Sequence, residues 1–149
     1  MDKRTILFAL AVNKAGIFEK KHFGEAEKYQ FFKWTNYDFV FVKEEINPYK
    51  NFDENSKHGS QKKGKAITEF LKSSGIQVLV SRQFGKNIQV VNRYFVPVII
   101  NAETPGEILP VLLKHIKWIE EELNNEPTEF KLFTINKGIM KTVITNEII

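Results

Sequence analysis

Two short runs of branched apolar residues, 76–80 (IQVLV) and 95–100 (FVPVII), limit the possible folds more than any other feature. Such runs are expected where a strand is buried on both faces by helices lying on either side of a sheet. About fifteen residues separate them, enough for a right-handed crossover between parallel neighbours. The turn 81–85 and a short helix near 87–93 fill that connection. Upstream, a helix over about 62–73 places Ala66, Ile67, Phe70 and Leu71 on one face, and Ser73-Ser74-Gly75 stops it. In open sheets of this kind ligands bind beyond the carboxyl ends of the strands. That puts 81–85 and 101–104 on a candidate functional edge.

The rest of the chain supplies more strands. Residues 5–12 (TILFALAV) form a continuous apolar strand expected at the centre. A loop over 13–21 leads to His22-Phe23-Gly24. The aromatic stretch 29–35, a turn at 36–38 and 39–46 read as a hairpin. A long polar loop, 47–60, opens with Asn47-Pro48 and contains His58; loops of that length are often functional. Thr104-Pro105-Gly106-Glu107 has the pattern of a capping box with proline at the first helical position. Ile108, Leu112, Ile116, Ile119 and Leu123 continue a helical stripe. Pro110 interrupts it, so the regular helix is expected to start there. Residues 130–135 and 139–144 flank Asn136-Lys137-Gly138 as a C-terminal hairpin. The expectation is one α/β domain, 1–149, with a core over 5–119 and a hairpin extension over 128–145.

Composition removes several function classes. There are no cysteines, so thiol catalysis and thiolate metal cages are excluded. No apolar run approaches a membrane span, and no signal peptide is recognisable, so a cytoplasmic protein is expected. A net charge of +4 favours an anionic ligand but is too mild for a dedicated nucleic-acid binder. Residues 59–66 (GSQKKGKA) imitate a phosphate-binding loop, yet Ala66 stands where the magnesium-binding hydroxyl belongs and no buried strand precedes them. The apolar strands carry no carboxylates for a two-metal nuclease; the acidic runs 25–27, 44–45 and 120–122 read as solvated faces. Core packing explains the aromatic cluster of Phe31, Phe32, Trp34, Tyr37, Phe39 and Phe41 more cheaply than base stacking, and alternation leaves some rings for a protein-binding face.

The order of these pieces resembles a known family. An N-terminal strand, a loop ending in His22-Phe23-Gly24, an aromatic hairpin and an Asn47-Pro48 loop come first. A Gly64-Lys65 helix then runs into the strand at Gly75-Ile76 and a glycine turn. This is similar to the dinitrogenase iron–molybdenum cofactor biosynthesis family of nitrogen fixation, over roughly residues 5–119. The resemblance implies a ribonuclease-H-like fold: a mixed five-stranded sheet flanked by helices, here with an appended C-terminal β-hairpin. It also implies binding and transfer of an iron–molybdenum cofactor or its iron–sulfur precursor cluster, without catalysis. Implied partners are cofactor-biosynthesis or acceptor proteins, and a homodimer stays open.

His22 is the metal-ligand candidate that the resemblance supplies; from the residues alone a polar turn histidine is the better reading. His58, beside Gly59, becomes a second ligand only if its loop folds back toward His22. His115 reads as a helix-boundary residue. The cluster is expected at the edge formed by His22, Phe23 and Gly24, with Arg82 and Gly85 of the next turn and Lys65 at a helix entrance as neighbours. One imidazole, glycine-turn amides and nearby positive charge suffice for transient binding of an anionic, preassembled cluster. The alternative is a protein–protein interaction or regulatory module that kept the fold without the cofactor.

Overall fold

The computed structural model describes residues 5–50, 57–85 and 88–143; the side chains of 57–61, 89 and 143 lie outside that description. In chain order the elements are β1 (Ile6–Val12), a single 3-10 turn (Phe23–Glu25), β2 (Lys28–Trp34) and β3 (Phe39–Ile46). Then come α1 (Lys57–Ser73), β4 (Val78–Ser81), α2 (Ile88–Val91) and β5 (Val96–Ile100). α3 (Pro105–Lys114), α4 (Ile116–Asn125), β6 (Leu132–Asn136) and β7 (Ile139–Val143) complete the described chain.

All described strands join one mixed sheet in the order β3-β2-β1-β4-β5-β6-β7. β1, β4, β5 and β6 run parallel. β2, β3 and β7 are antiparallel to their neighbours. Val78 lies opposite Val96 and Val80 opposite Val98, the neighbour relation expected of the two apolar runs. The sheet has seven strands, however, and not five with a separate appendage. Phe133 pairs with Val98 and Ile135 with Ile100, and both are buried, so β6 extends the core sheet. β7 returns through Lys137 and Gly138, both at positive φ (53° and 77°), a backbone suited to a two-residue hairpin.

Each face of the sheet has its own core. One packs Phe8, Val80, Val98 and Phe133 under Ile108, Leu112 and Ile119 of α3 and α4. The other packs Ala9, Tyr29, Leu79 and Phe95 under Ile67 and Leu71 of α1. β1 feeds both, and its residues from Phe8 to Val12 are fully buried. Helices on both faces are what continuous apolar strands demand.

Three boundary differences bear on the site and its layers, while most strand ends move by one or two residues. α1 starts at Lys57, not near 62, so His58 and the glycine-lysine segment belong to a helix. The stretch KHGSQKKGK has no apolar period and two glycines, so its propensity concealed the early start. The helix through Gly64 and Lys65 also abolishes the loop that a phosphate cradle or a helix-entrance anion site would need. α3 starts at Pro105 with Pro110 inside it. Pro110 and Gly106 are both exposed, so the Gly106 carbonyl that loses its helical donor faces water. Thr104 caps without its side chain: the Glu107 amide donates to the Thr104 carbonyl at 3.1 Å. The apolar stripe is buried as expected, but the helix breaks at His115 into α3 and α4.

Glu122 corrects the picture of a solvated acidic run. It is buried, and its Oε2 accepts the Lys131 amide at 2.8 Å, tying α4 to the start of β6. No helix among the described residues is long and apolar enough to cross a membrane.

Candidate functional site

The carboxyl ends of β1 and β4 converge on the His22-Phe23-Gly24 turn. The β1–β2 connection folds back on itself through the Glu19 amide to Ala11 carbonyl bond (3.0 Å) and a bridge between Val12 and Phe18. The Phe18 amide donates to the Glu103 carbonyl at 2.7 Å, which joins this connection to the loop after β5. His22 then precedes the 3-10 turn, where its carbonyl accepts the Glu25 amide at 2.9 Å.

Phe23 is the pedestal of this turn. It is buried and stacks on Tyr29 (ring centroids 4.8 Å apart) and on Phe84 (5.5 Å). The Tyr29 hydroxyl donates to the Phe23 carbonyl at 2.9 Å, and the Phe23 amide donates to the Gln83 carbonyl at 2.9 Å. Ser81 Oγ donates to that same Gln83 carbonyl at 2.9 Å, and Gln83 Nε2 donates to the Lys20 carbonyl. Burial pushes the Tyr29 phenol far above its usual range, so it stays a neutral donor.

Asn47 locks the turn from the other side. It is buried, and its Nδ2 donates to the carbonyls of Gly24 (3.0 Å) and Ala26 (2.9 Å). Its Oδ1 accepts the Tyr49 amide at 2.9 Å, a side-chain turn that Asn before Pro favours. Beneath Gly24 lie Ile67 and the stem of buried Lys63, whose Nζ donates to the Lys50 carbonyl at 3.1 Å. Lys50 in turn pairs with Glu27. The Lys50 hydrogen bond, with Lys50, Lys14 and Lys21 charge added, holds the Glu27 carboxyl below its ordinary value despite some desolvation.

His22 itself is exposed, and its ring lies against Gly85. The ring atoms nearest to a Cβ built on Gly85 are Nδ1, Cε1 and Cγ. Gly85 has φ +71°, a backbone that glycine adopts readily. The structure therefore brings together His22, Phe23, Gly24 and Gly85, with half-buried Arg82 three residues before Gly85 in the same turn. Lys65 is exposed on α1. It lies about 200° around the helix from Lys63, the lysine that meets the turn. His58 falls in the first turn of α1, and its side chain lies outside the described residues. The His115 ring lies tilted against Trp118, centroids 5.2 Å apart, at the α3–α4 break.

Sequence reasoning missed Asn47, Lys63, Tyr29 and Phe84 as builders of this edge. Asn47-Pro48 carried a usable signal; the burial of Lys63 had none, because lysine among lysines reads as solvated. Among the described residues no three His, Asp or Glu side chains converge to cage a metal ion. Among the described residues the donor at this edge is one exposed imidazole in a partly basic setting. That fits single-point attachment of a cluster that brings its own ligands.

A second concavity of about 250 Å³ lies between Trp118, Glu122, Asn125 and Phe133. It is near the amino ends of the parallel strands, away from His22, and all its lining residues follow residue 116.

The family model described as dinitrogenase iron-molybdenum cofactor matches residues 4–116, from the strand before the His22 turn to the first residue of α4. No curated protein matches the chain.

Proposed function

We propose a function from one premise: this chain belongs to the dinitrogenase iron-molybdenum cofactor family, whose model takes in most of its length. On this reading it is a carrier in nitrogenase cofactor biosynthesis. Its cargo is an iron–molybdenum-type cofactor or an iron–sulfur precursor cluster, and it performs no catalysis. The single observation that carries the reading is the exposed His22 ring on Gly85, held by the buried stack of Phe23, Tyr29 and Phe84.

His22 supplies one imidazole nitrogen to an exposed metal of the cargo. Lys14, Lys21 and Arg82 supply positive charge around an anionic object, and the hydrogen-bonded turn fixes the backbone from which the imidazole projects. One ligand with screened charge binds weakly enough to release, as a carrier must. Cytoplasmic location, acceptor proteins as partners and the ribonuclease-H-like reading of the core belong to the same proposal.

Anaerobic titration with isolated cofactor, followed by visible absorption and by iron and molybdenum analysis, tests it. His22→Ala is expected to weaken binding by at least about tenfold, and His115→Ala to leave it unchanged. Equal affinity of wild type and His22→Ala removes His22 from the site, and absence of binding by wild type removes the carrier reading.

A further inference from the structure

The concavity between α4 and the β6–β7 hairpin has no part in the His22 edge, and the family model ends before its first lining residue. Glu121, Glu122 and Asn125 follow Trp118 at helical spacings, so the four share one face of α4. Phe133 and Thr142, partners across β6 and β7, come from the sheet. Phe133 is buried, while Trp118 is 44% exposed.

We propose that this concavity binds an alkylguanidinium, a planar organic cation on a short apolar stem. Glu122 is the anchor. It is only 5% exposed, and Ile119 and Leu123 on the same helix are buried with it. Its Oε2 accepts the Lys131 amide at 2.8 Å, and among the described residues Oε1 has no hydrogen-bond or ion-pair partner. Tying α4 to β6 needs one neutral acceptor, which a glutamine would supply. A buried carboxylate with one oxygen left over is costly unless a cation meets it.

The rest of the lining fits the same ligand. Two carboxylates, Glu121 and Glu122, stand against one cation, Lys131, so the concavity is negative in a chain whose net charge is +4. Lys131 forms no ion pair among the described residues. A guanidinium suits these groups better than an ammonium. Its plane stacks on the Trp118 indole while its edge donates to Glu122 Oε1 and to the Asn125 amide oxygen. The apolar stem lies on Phe133. At about 30 Å³ per water-sized atom, roughly eight non-hydrogen atoms fill the 250 Å³, the size of butylguanidinium.

The chain has two tryptophans, so the indole region of a proton–nitrogen correlation spectrum holds two resonances, and Trp118→Leu identifies them. Titration of the full chain with butylguanidinium is expected to move the Trp118 resonance along a saturating curve with a Kd of order 1 mM, and to leave that of buried Trp34 in place. Butylurea, a neutral analogue of the same shape, should bind at least tenfold more weakly. Glu122→Gln keeps an acceptor for the Lys131 amide and should weaken butylguanidinium at least tenfold. Lys131→Met removes a competing cation and should strengthen it. N-acetylarginine N-methylamide separates two sources of the group. Tighter binding than butylguanidinium assigns it to an arginine side chain of a partner protein, and weaker binding to a free small molecule. No saturation by roughly 20 mM, equal affinity for butylurea, or unchanged binding by Glu122→Gln overturns the proposal. Loss of binding in Lys131→Met also overturns it, because the site then selects an anionic group. The titration contains no metal, so its outcome is independent of the carrier reading.

Discussion

Gly85 lies so close beneath the His22 ring that a Cβ built on it would stand 2.6 Å from Nδ1. Its φ of +71° is a second, independent reason for glycine there. Gly138 separates the two, because its φ is +77° but nothing lies within 4 Å of its added Cβ. Gly138→Ala and Gly85→Ala are each expected to cost about 1–2 kcal/mol through the left-handed backbone. The added methyl at Gly85 does not add much strain, because an exposed imidazole can swing aside. It does displace His22. Urea unfolding should give similar losses for the two variants. Only Gly85→Ala should shift the His22 ring resonances and weaken cargo binding, by several-fold or more. Unshifted His22 resonances in Gly85→Ala would refute the coupling.

Tyr29 links stability to pH through the same turn. Its buried hydroxyl holds the Phe23 carbonyl, and burial raises its ionisation far above the ordinary phenol value near 10. The sign follows from the direction. A group whose folded value is raised gives its full contribution below the unfolded value, and that contribution is lost as pH rises past it. Wild type should therefore lose stability above about pH 10, where the unfolded phenol ionises and the folded one does not. Tyr29→Phe should be weaker by about 0.5–1.5 kcal/mol at neutral pH, from the lost hydrogen bond. The gap between the two proteins should narrow between about pH 10 and pH 11, because the variant lacks that ionisation. Urea midpoints measured across this range check it, and a constant gap would show that Tyr29 ionises freely in the fold.

Apolar patterning made the sheet centre and both helical layers legible. Val78, Leu79 and Val80 could be read as a buried strand because no polar residue interrupts them. The strand ends of β6 were equally legible, but its pairing with β5 was not, since alternation does not say which neighbour a strand takes. α1 was read short because its first two turns contain no apolar residue to set a period. At the site, His22 and Gly85 were each visible as candidates, while their contact joins residues far apart in sequence and left no local pattern. Glu122 and Lys63 were misjudged for a shared reason: a charged residue in a run of like charges gives no sign of being the one turned inward.

Asn47 separates donor from acceptor roles in the clamp. Two carbonyls, those of Gly24 and Ala26, point at its Nδ2, and one amide, that of Tyr49, points at its Oδ1. Asn47→Ala leaves all three without that partner and is expected to cost roughly 2–4 kcal/mol. Asn47→Asp keeps the acceptor but turns the donor into an oxygen facing two carbonyl oxygens. At neutral pH that charge is repelled and partly desolvated, so Asn47→Asp should destabilise at least as much as Asn47→Ala. The same repulsion raises the introduced carboxyl above its ordinary range in the folded state. By linkage its penalty is largest at high pH and shrinks as pH falls through the raised folded value, where a protonated carboxyl can donate to one carbonyl. Thermal unfolding of wild type, Asn47→Ala and Asn47→Asp from pH 7 down to about pH 4 checks this. The aspartate variant should gain on the alanine variant as pH falls. Parallel curves for the two variants would mean that the carbonyls of Gly24 and Ala26 do not face position 47 closely enough to hold the turn.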